Sequence, residues 1–142
     1  MERHEDPRRR LRVFLIAFLL TFTLTRLSLV FRPNADFNLF GYNIHHLYTG
    51  SLVLTACVLP LLLGVAGPRV ALPLVAGSGV GLSLVLDEVV YLIATDGSNA
   101  SYLTRVSWIG AVILIGLCAL YAIVLVRAGR VRSSSEPTTP PR

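Results

Sequence analysis

Residues 11–31 read LRVFLIAFLLTFTLTRLSLVF, an apolar run that contains two arginines and no acidic residue. About 20 residues of helix, at 1.5 Å rise per residue, are needed to cross the hydrocarbon core of a bilayer, and this run is long enough. A basic stretch, Arg8-Arg9-Arg10, precedes it, as in a signal peptide, but the run is too long and ends without the small residues of a cleavage site. We therefore predict a transmembrane helix that remains in the protein.

Three further apolar runs follow, at about residues 44–65, 71–94 and 104–126. Backbone groups inside a bilayer must satisfy their own hydrogen bonds, so runs of this length indicate helices and not open strands. The composition agrees, because the chain is 54% hydrophobic and 15% charged, with a mean hydropathy of +0.66. The sequence predicts an all-α polytopic membrane protein, an antiparallel bundle of four transmembrane helices within residues 11–128.

The arginines predict the orientation, because basic flanks are retained on the cytoplasmic side of a membrane. Arg32 and Arg105 lie in the first and third connections between helices, and Arg26 lies inside the first helix; the other ten arginines lie in the N-terminal segment, the second connection and the C-terminal segment. We therefore predict a multi-pass protein of the cell membrane with both termini cytoplasmic. Residues 1–10 form a basic N-terminus, and residues 129–142, rich in Ser, Thr and Pro, form a disordered tail.

The predicted partners are membrane lipids. The net charge of +5 does not indicate nucleic-acid binding, because the arginines flank apolar runs and form no patch interleaved with aromatic residues. A homo-oligomer could form through Gly77 and Gly81, whose GxxxG spacing favours close helix contact. Tyr102, Trp108 and Tyr121 lie near the ends of the fourth helix, where we expect them to act as interfacial anchors.

Five ionisable residues lie within or at the ends of the apolar runs: Arg26, His45, His46, Asp87 and Glu88. An aspartate or arginine at the centre of a membrane helix costs roughly 2.5–3.5 kcal/mol, so such residues require partners or water. Antiparallel packing of the first three helices brings all five to one layer near the outer ends of the helices. The sequence predicts a shared polar site in this layer.

Three residues are candidates to support that site. Tyr48 lies on the same side of its helix as His45, Tyr91 follows Asp87 by one helical turn, and Arg105 begins the fourth helix just above the layer.

The polar layer has three interpretations. Arg26 could neutralise Asp87 or Glu88 in a structural charge network or small binding site. Alternatively, His45, His46, Asp87 and Glu88 could bind a divalent transition metal in a hydrolase that acts on a lipid or periplasmic substrate. The same groups could also carry protons or solutes in a transporter component. The sequence leaves open whether the chain is an enzyme.

Two motifs in this layer resemble a family of small prokaryotic integral membrane proteins for which no activity is known. They are HHxxxG at residues 45–50 and the glycine-rich approach GVGLSLVLDE at residues 79–88, in order after Arg26 and before Asp96. The resemblance covers roughly residues 20–105 and implies a four-helix architecture without supplying an activity. The chain departs from the family in the connections, including residues 96–98.

Overall fold

The computed structural model describes residues 6–31, 38–39, 42–43, 45–96 and 98–134. Its helices are α1 (Pro7–Phe31), α2 (His46–Leu62), α3 (Pro68–Ala94), α4 (Asn99–Tyr102) and α5 (Arg105–Ser134). Two strands of two residues each, β1 (Asn38–Leu39) and β2 (Tyr42–Asn43), pair antiparallel between α1 and α2. The prediction of an all-α bundle of four long helices is confirmed.

The outer surface of the bundle is apolar. Helices α1, α3 and α5 are long and apolar enough to cross a membrane, whereas α2, with 17 residues, is shorter. Large aliphatic side chains are exposed on several helices, among them Ile16 (66%), Leu52 (73%) and Ile93 (80%). A soluble protein rarely exposes so continuous an apolar surface, whereas a bilayer covers it. The chain is therefore a membrane protein.

Helix α3 is the centre of the bundle and packs against α1, α2 and α5. Glycines allow two of these close contacts. A Cβ atom at Gly81 would lie 2.6 Å from the backbone nitrogen of Leu54 in α2, and one at Gly79 would lie 2.7 Å from the carbonyl oxygen of Phe14 in α1. Only glycine permits backbones to approach this closely, as in other small-residue contacts between membrane helices.

The Gly77/Gly81 face is turned toward α2 of the same chain. A Cβ atom at Gly77 would overlap the sulfur of Cys57, and one at Gly81 would lie 2.7 Å from the carbonyl oxygen of Gly50. This face, which the sequence suggested for a homo-oligomer, therefore packs against α2 of the same chain.

Helix α2 ends at Leu62, three residues before the predicted end at residue 65. Gly64, just after the helix, adopts a φ of 67°, the left-handed conformation that commonly ends a helix. The Val65 N–H donates to the Pro60 carbonyl at 3.1 Å, and the Gly64 N–H donates to the Leu61 carbonyl at 3.4 Å. These two bonds are those of a Schellman motif, which satisfies the last carbonyls of a helix.

Several other predicted boundaries were wrong. Helix α1 includes residues 7–10, which were assigned to the N-terminus, and α5 continues to Ser134, through residues 129–134 of the predicted tail. Residues 135–142 of that tail lie outside the described part of the chain. Helix α3 begins at Pro68, three residues before the predicted start at residue 71, and Pro68 takes the favourable first position.

Replacing Gly81 with alanine tests the close contact between α2 and α3. The new methyl group meets backbone atoms that cannot move aside, so Gly81→Ala should lower the stability of the protein by about 1–3 kcal/mol. Gly116→Ala in α5 is the matched control, because a Cβ there meets nothing within 4 Å. Denaturation in detergent micelles measures both variants, and equal stability of the two would contradict the contact.

Candidate functional site

Arg26 lies near the end of α1 with its side chain only 1% exposed. Its Nε donates to Asp87 Oδ1 at 2.5 Å, and its Nη1 donates to Tyr102 O and Ser107 Oγ, both at 3.1 Å. Its Nη2 donates to Asp87 O at 3.1 Å and to Ser107 O at 3.5 Å. A guanidinium group has five N–H donors, and these contacts supply an acceptor for each of them.

Asp87 neutralises this arginine from α3. One carboxylate oxygen accepts the Arg26 Nε–H, and the other accepts the Tyr102 hydroxyl. Burial of Tyr102 and the adjacent Asp87 carboxylate raise the pKa of the tyrosine above its usual range, which keeps the hydroxyl protonated and able to donate. Both oxygens of the buried carboxylate therefore accept a hydrogen bond, as a buried charge requires.

Aromatic rings surround the guanidinium group. Its Cζ atom lies 4.5 Å from the ring centroid of Tyr102, 5.1 Å from that of Trp108 and 5.9 Å from that of Phe22. Rings at these distances attract a cation through their negative faces. The contacts of Arg26 thus connect α1 with α3, α4 and α5 at one point, which we call the arginine network: Arg26, Asp87, Tyr102 and Ser107.

Glu88 forms a second polar cluster on another side of α3. Its side chain is 2% exposed; Oε1 lies 2.7 Å from Nδ1 of His45, and Oε2 accepts the backbone N–H of Leu47 at 2.5 Å. The N-cap residue His45 makes no side-chain hydrogen bond to the first turn of α2. A carboxylate from α3 therefore satisfies an N–H that a helix normally leaves to its own N-cap.

The structure divides the four predicted metal ligands between these clusters. His45 meets Glu88, whereas Asp87 meets Arg26, because consecutive residues of a helix point about 100° apart. His46 begins α2 and is half-buried, and its side chain makes no hydrogen bond to another described residue. Within the described ranges, no group of three or more His, Cys, Asp or Glu side chains could hold a metal ion.

The three supporting residues have different positions. Tyr91 is buried between the clusters, its ring centroid 4.6 Å from that of Tyr102 and 6.4 Å from that of His45. Tyr48 is 59% exposed on α2, and Arg105 is exposed at the start of α5. Tyr91 therefore adjoins the site, whereas Tyr48 and Arg105 point away from it.

Two members of the arginine network were not predicted from the sequence. Tyr102 was predicted to be an interfacial anchor, but it is 7% exposed and bonded to Asp87. Ser107 is fully buried. A single serine in an apolar helix does not indicate that the residue has a polar partner. Both residues accept a hydrogen bond from Arg26 through their backbone carbonyl oxygens. Every residue has such a carbonyl, so the residue type does not predict these contacts.

No family model, curated protein or solved structure matches the chain. The resemblance to a family of prokaryotic membrane proteins therefore stays a prediction. The chemistry of the site has to be inferred from its own geometry.

Tyr102→Phe tests the hydrogen bond to Asp87, because it keeps the ring and removes only the hydroxyl group. A hydrogen bond to a charged group contributes about 1.5–3 kcal/mol, so the variant should lose stability in that range. Tyr121→Phe is the matched control, since Tyr121 is 64% exposed on α5. Thermal unfolding in detergent compares them, and an unchanged midpoint for Tyr102→Phe would contradict the bond.

Proposed function

We propose that this chain is a multi-pass protein of the cell membrane in which the polar layer is a structural charge network. The proposal rests on the observation that every hydrogen-bond donor of the Arg26 side chain has an acceptor within the chain. All five guanidinium donors have acceptors, and both oxygens of Asp87 accept hydrogen bonds. A network closed in this way holds helices together and presents no unused donor of Arg26 to a ligand.

The same contacts favour the structural role over a metal-dependent hydrolase or a transporter. A metal ligand or general base needs an available electron pair on a group that faces the substrate. Asp87 contacts Arg26 and Tyr102, whereas Glu88 contacts His45 and the Leu47 N–H, so the two carboxylates do not face a common site. The positive charge of Arg26 beside Asp87 would also repel a metal ion.

The network would determine how the helices are arranged. Lipid tails are as apolar as leucine side chains, so apolar contacts alone give little preference for one arrangement of membrane helices over another. Arg26 connects α1 and α5 to α3, and Glu88 connects α2 to α3. Helices α1 and α2 therefore have polar contacts with α3, and α5 has one with Arg26 of α1; all lie near the same end of the bundle, which favours one rotation and one depth for each helix.

A double-mutant cycle of Arg26 and Asp87 tests the structural role. Arg26→Met or Asp87→Leu alone leaves a buried charge without its partner, which should cost about 3–5 kcal/mol. The double variant removes both charges and should lose less stability than the sum of the two single losses. Stability is measured by denaturation in detergent, with helix content checked by circular dichroism.

The control cycle combines Arg26→Met with Asp96→Asn. Asp96 is exposed beyond the end of α3 and accepts hydrogen bonds from Ser98, with no described contact to Arg26. These two losses should add. Additive losses in the Arg26/Asp87 cycle as well would contradict the proposed network.

We also propose that both termini are cytoplasmic, with the arginine tally as the support. Single cysteines replacing Ser98 and Ser135, in a chain in which Cys57 and Cys118 are changed to alanine, report the orientation. An impermeant thiol reagent added to intact cells should label position 98 and leave position 135 unlabelled. Labelling at position 135 alone would reverse the proposed orientation.

A further inference from the structure

Exposed arginines lie at the end of the bundle opposite the arginine network. They are Arg8, Arg9 and Arg12 on α1, Arg69 on α3 and Arg127 on α5. We call these five residues the arginine collar. None of them takes part in the buried contacts that hold the polar layer.

Helix contacts place three collar residues at a common level. Arg26 of α1 meets Asp87 of α3 and Ser107 of α5, which sets the relative depth of these helices. Counting twenty residues from Arg26, Asp87 and Ser107 toward the collar covers about 30 Å of helix. The positions reached are Asp6, Gly67 and Arg127. Arg8 follows Asp6 by two residues, and Arg69 follows Gly67 by two residues. Three helices that pack together therefore each bring an arginine to the same level.

The three sequence segments that contain the collar are strongly basic. Ten arginines lie in the N-terminal segment, the connection between α2 and α3 and the C-terminal segment, against four acidic residues: Glu2, Glu5, Asp6 and Glu136. Acidic residues of the chain are too few to neutralise the collar, so most of its charge faces the surroundings.

The collar does not serve the stability of α1. Arg8 and Arg9 lie in the first turn, where cations oppose the helix dipole, and the Asp6 carboxylate, which accepts the Arg8 N–H, offsets this only in part. Arg8 and Arg12 are also one turn apart, and like charges at this spacing repel each other. An anionic partner would relieve both effects.

The position of the collar identifies the partner. The apolar run of α1 starts at Leu11, so the collar lies where hydrocarbon gives way to headgroups. Helix α5 continues to Ser134, about 12 Å beyond Val126, and carries Arg130 and Arg132 in this extension. We propose that the arginine collar binds the headgroups of anionic phospholipids, with phosphate oxygens accepting hydrogen bonds from the guanidinium groups.

Electron spin resonance of spin-labelled lipids tests this inference on the full chain in phosphatidylcholine vesicles. The probes are spin-labelled phosphatidylglycerol and spin-labelled phosphatidylcholine, and the measured quantity is the ratio of their association with the protein. We expect phosphatidylglycerol to be preferred by roughly fivefold, the effect of one arginine near an anionic membrane surface. The triple variant Arg8→Gln, Arg69→Gln, Arg127→Gln, which keeps Arg9 and Arg12, should have a clearly lower ratio than the wild type.

Arg105→Gln is the matched control, because it removes an exposed arginine at the opposite end of the bundle. It should keep the wild-type ratio. An equal ratio in the wild type and the triple variant, or an equal fall in Arg105→Gln, would overturn the proposal.

Two measurements on the wild-type chain remain informative if the triple variant does not fold. The preference should disappear in 1 M sodium chloride, since screening weakens contacts with phosphate. Inorganic phosphate at matched ionic strength should displace no more lipid than sodium chloride does. A preference that survives high salt, or specific displacement by inorganic phosphate, would overturn binding of lipid headgroups.

Discussion

The buried ion pair between Arg26 and Asp87 is the contact on which the arrangement of the bundle depends. Two charges with exposures near 1% are tolerable only when each has a partner of opposite sign and enough hydrogen bonds. Tyr102 and Ser107 complete this set, so four helical segments have to be correctly placed before the pair is satisfied. A helix that shifted by one turn would leave a charge without compensation in an apolar environment.

Helix α3 can hold the other long helices because consecutive carboxylates on it point in different directions. Asp87 meets α1, and Glu88 meets the start of α2. The glycines act in the same way further along the helix, since Gly79 lies against α1 and Gly81 against α2. Polar contacts near one end and close backbone contacts toward the middle therefore connect the same pairs of helices. Two adjacent acidic residues would suggest a shared metal ion, but here they connect separate helices.

The two ends of the bundle differ in what balances their charge. Near the arginine network, each ionised side chain that is fully buried has a partner in the same chain. At the collar, the chain has many more arginines than carboxylates, and the balance has to come from outside. Asp96 lies at the same end of the bundle as the arginine network, but it is exposed beyond the end of α3. Hydrogen bonds from Ser98 lower the pKa of its carboxyl group. Burial enforces internal pairing, whereas an exposed charge can use solvent, salt or lipid.

The sequence by itself determined the helices, their approximate limits and the presence of a polar layer, because these depend on local apolar length and the cost of charge in lipid. Only the tertiary structure decided that Arg26 pairs with Asp87, that Glu88 caps α2, and that α2 fills the Gly77/Gly81 face. These outcomes depend on how each helix is rotated about its axis. Several of the acceptors are backbone carbonyls, which no residue type marks. The pattern of residues along one helix therefore cannot identify its partners on another.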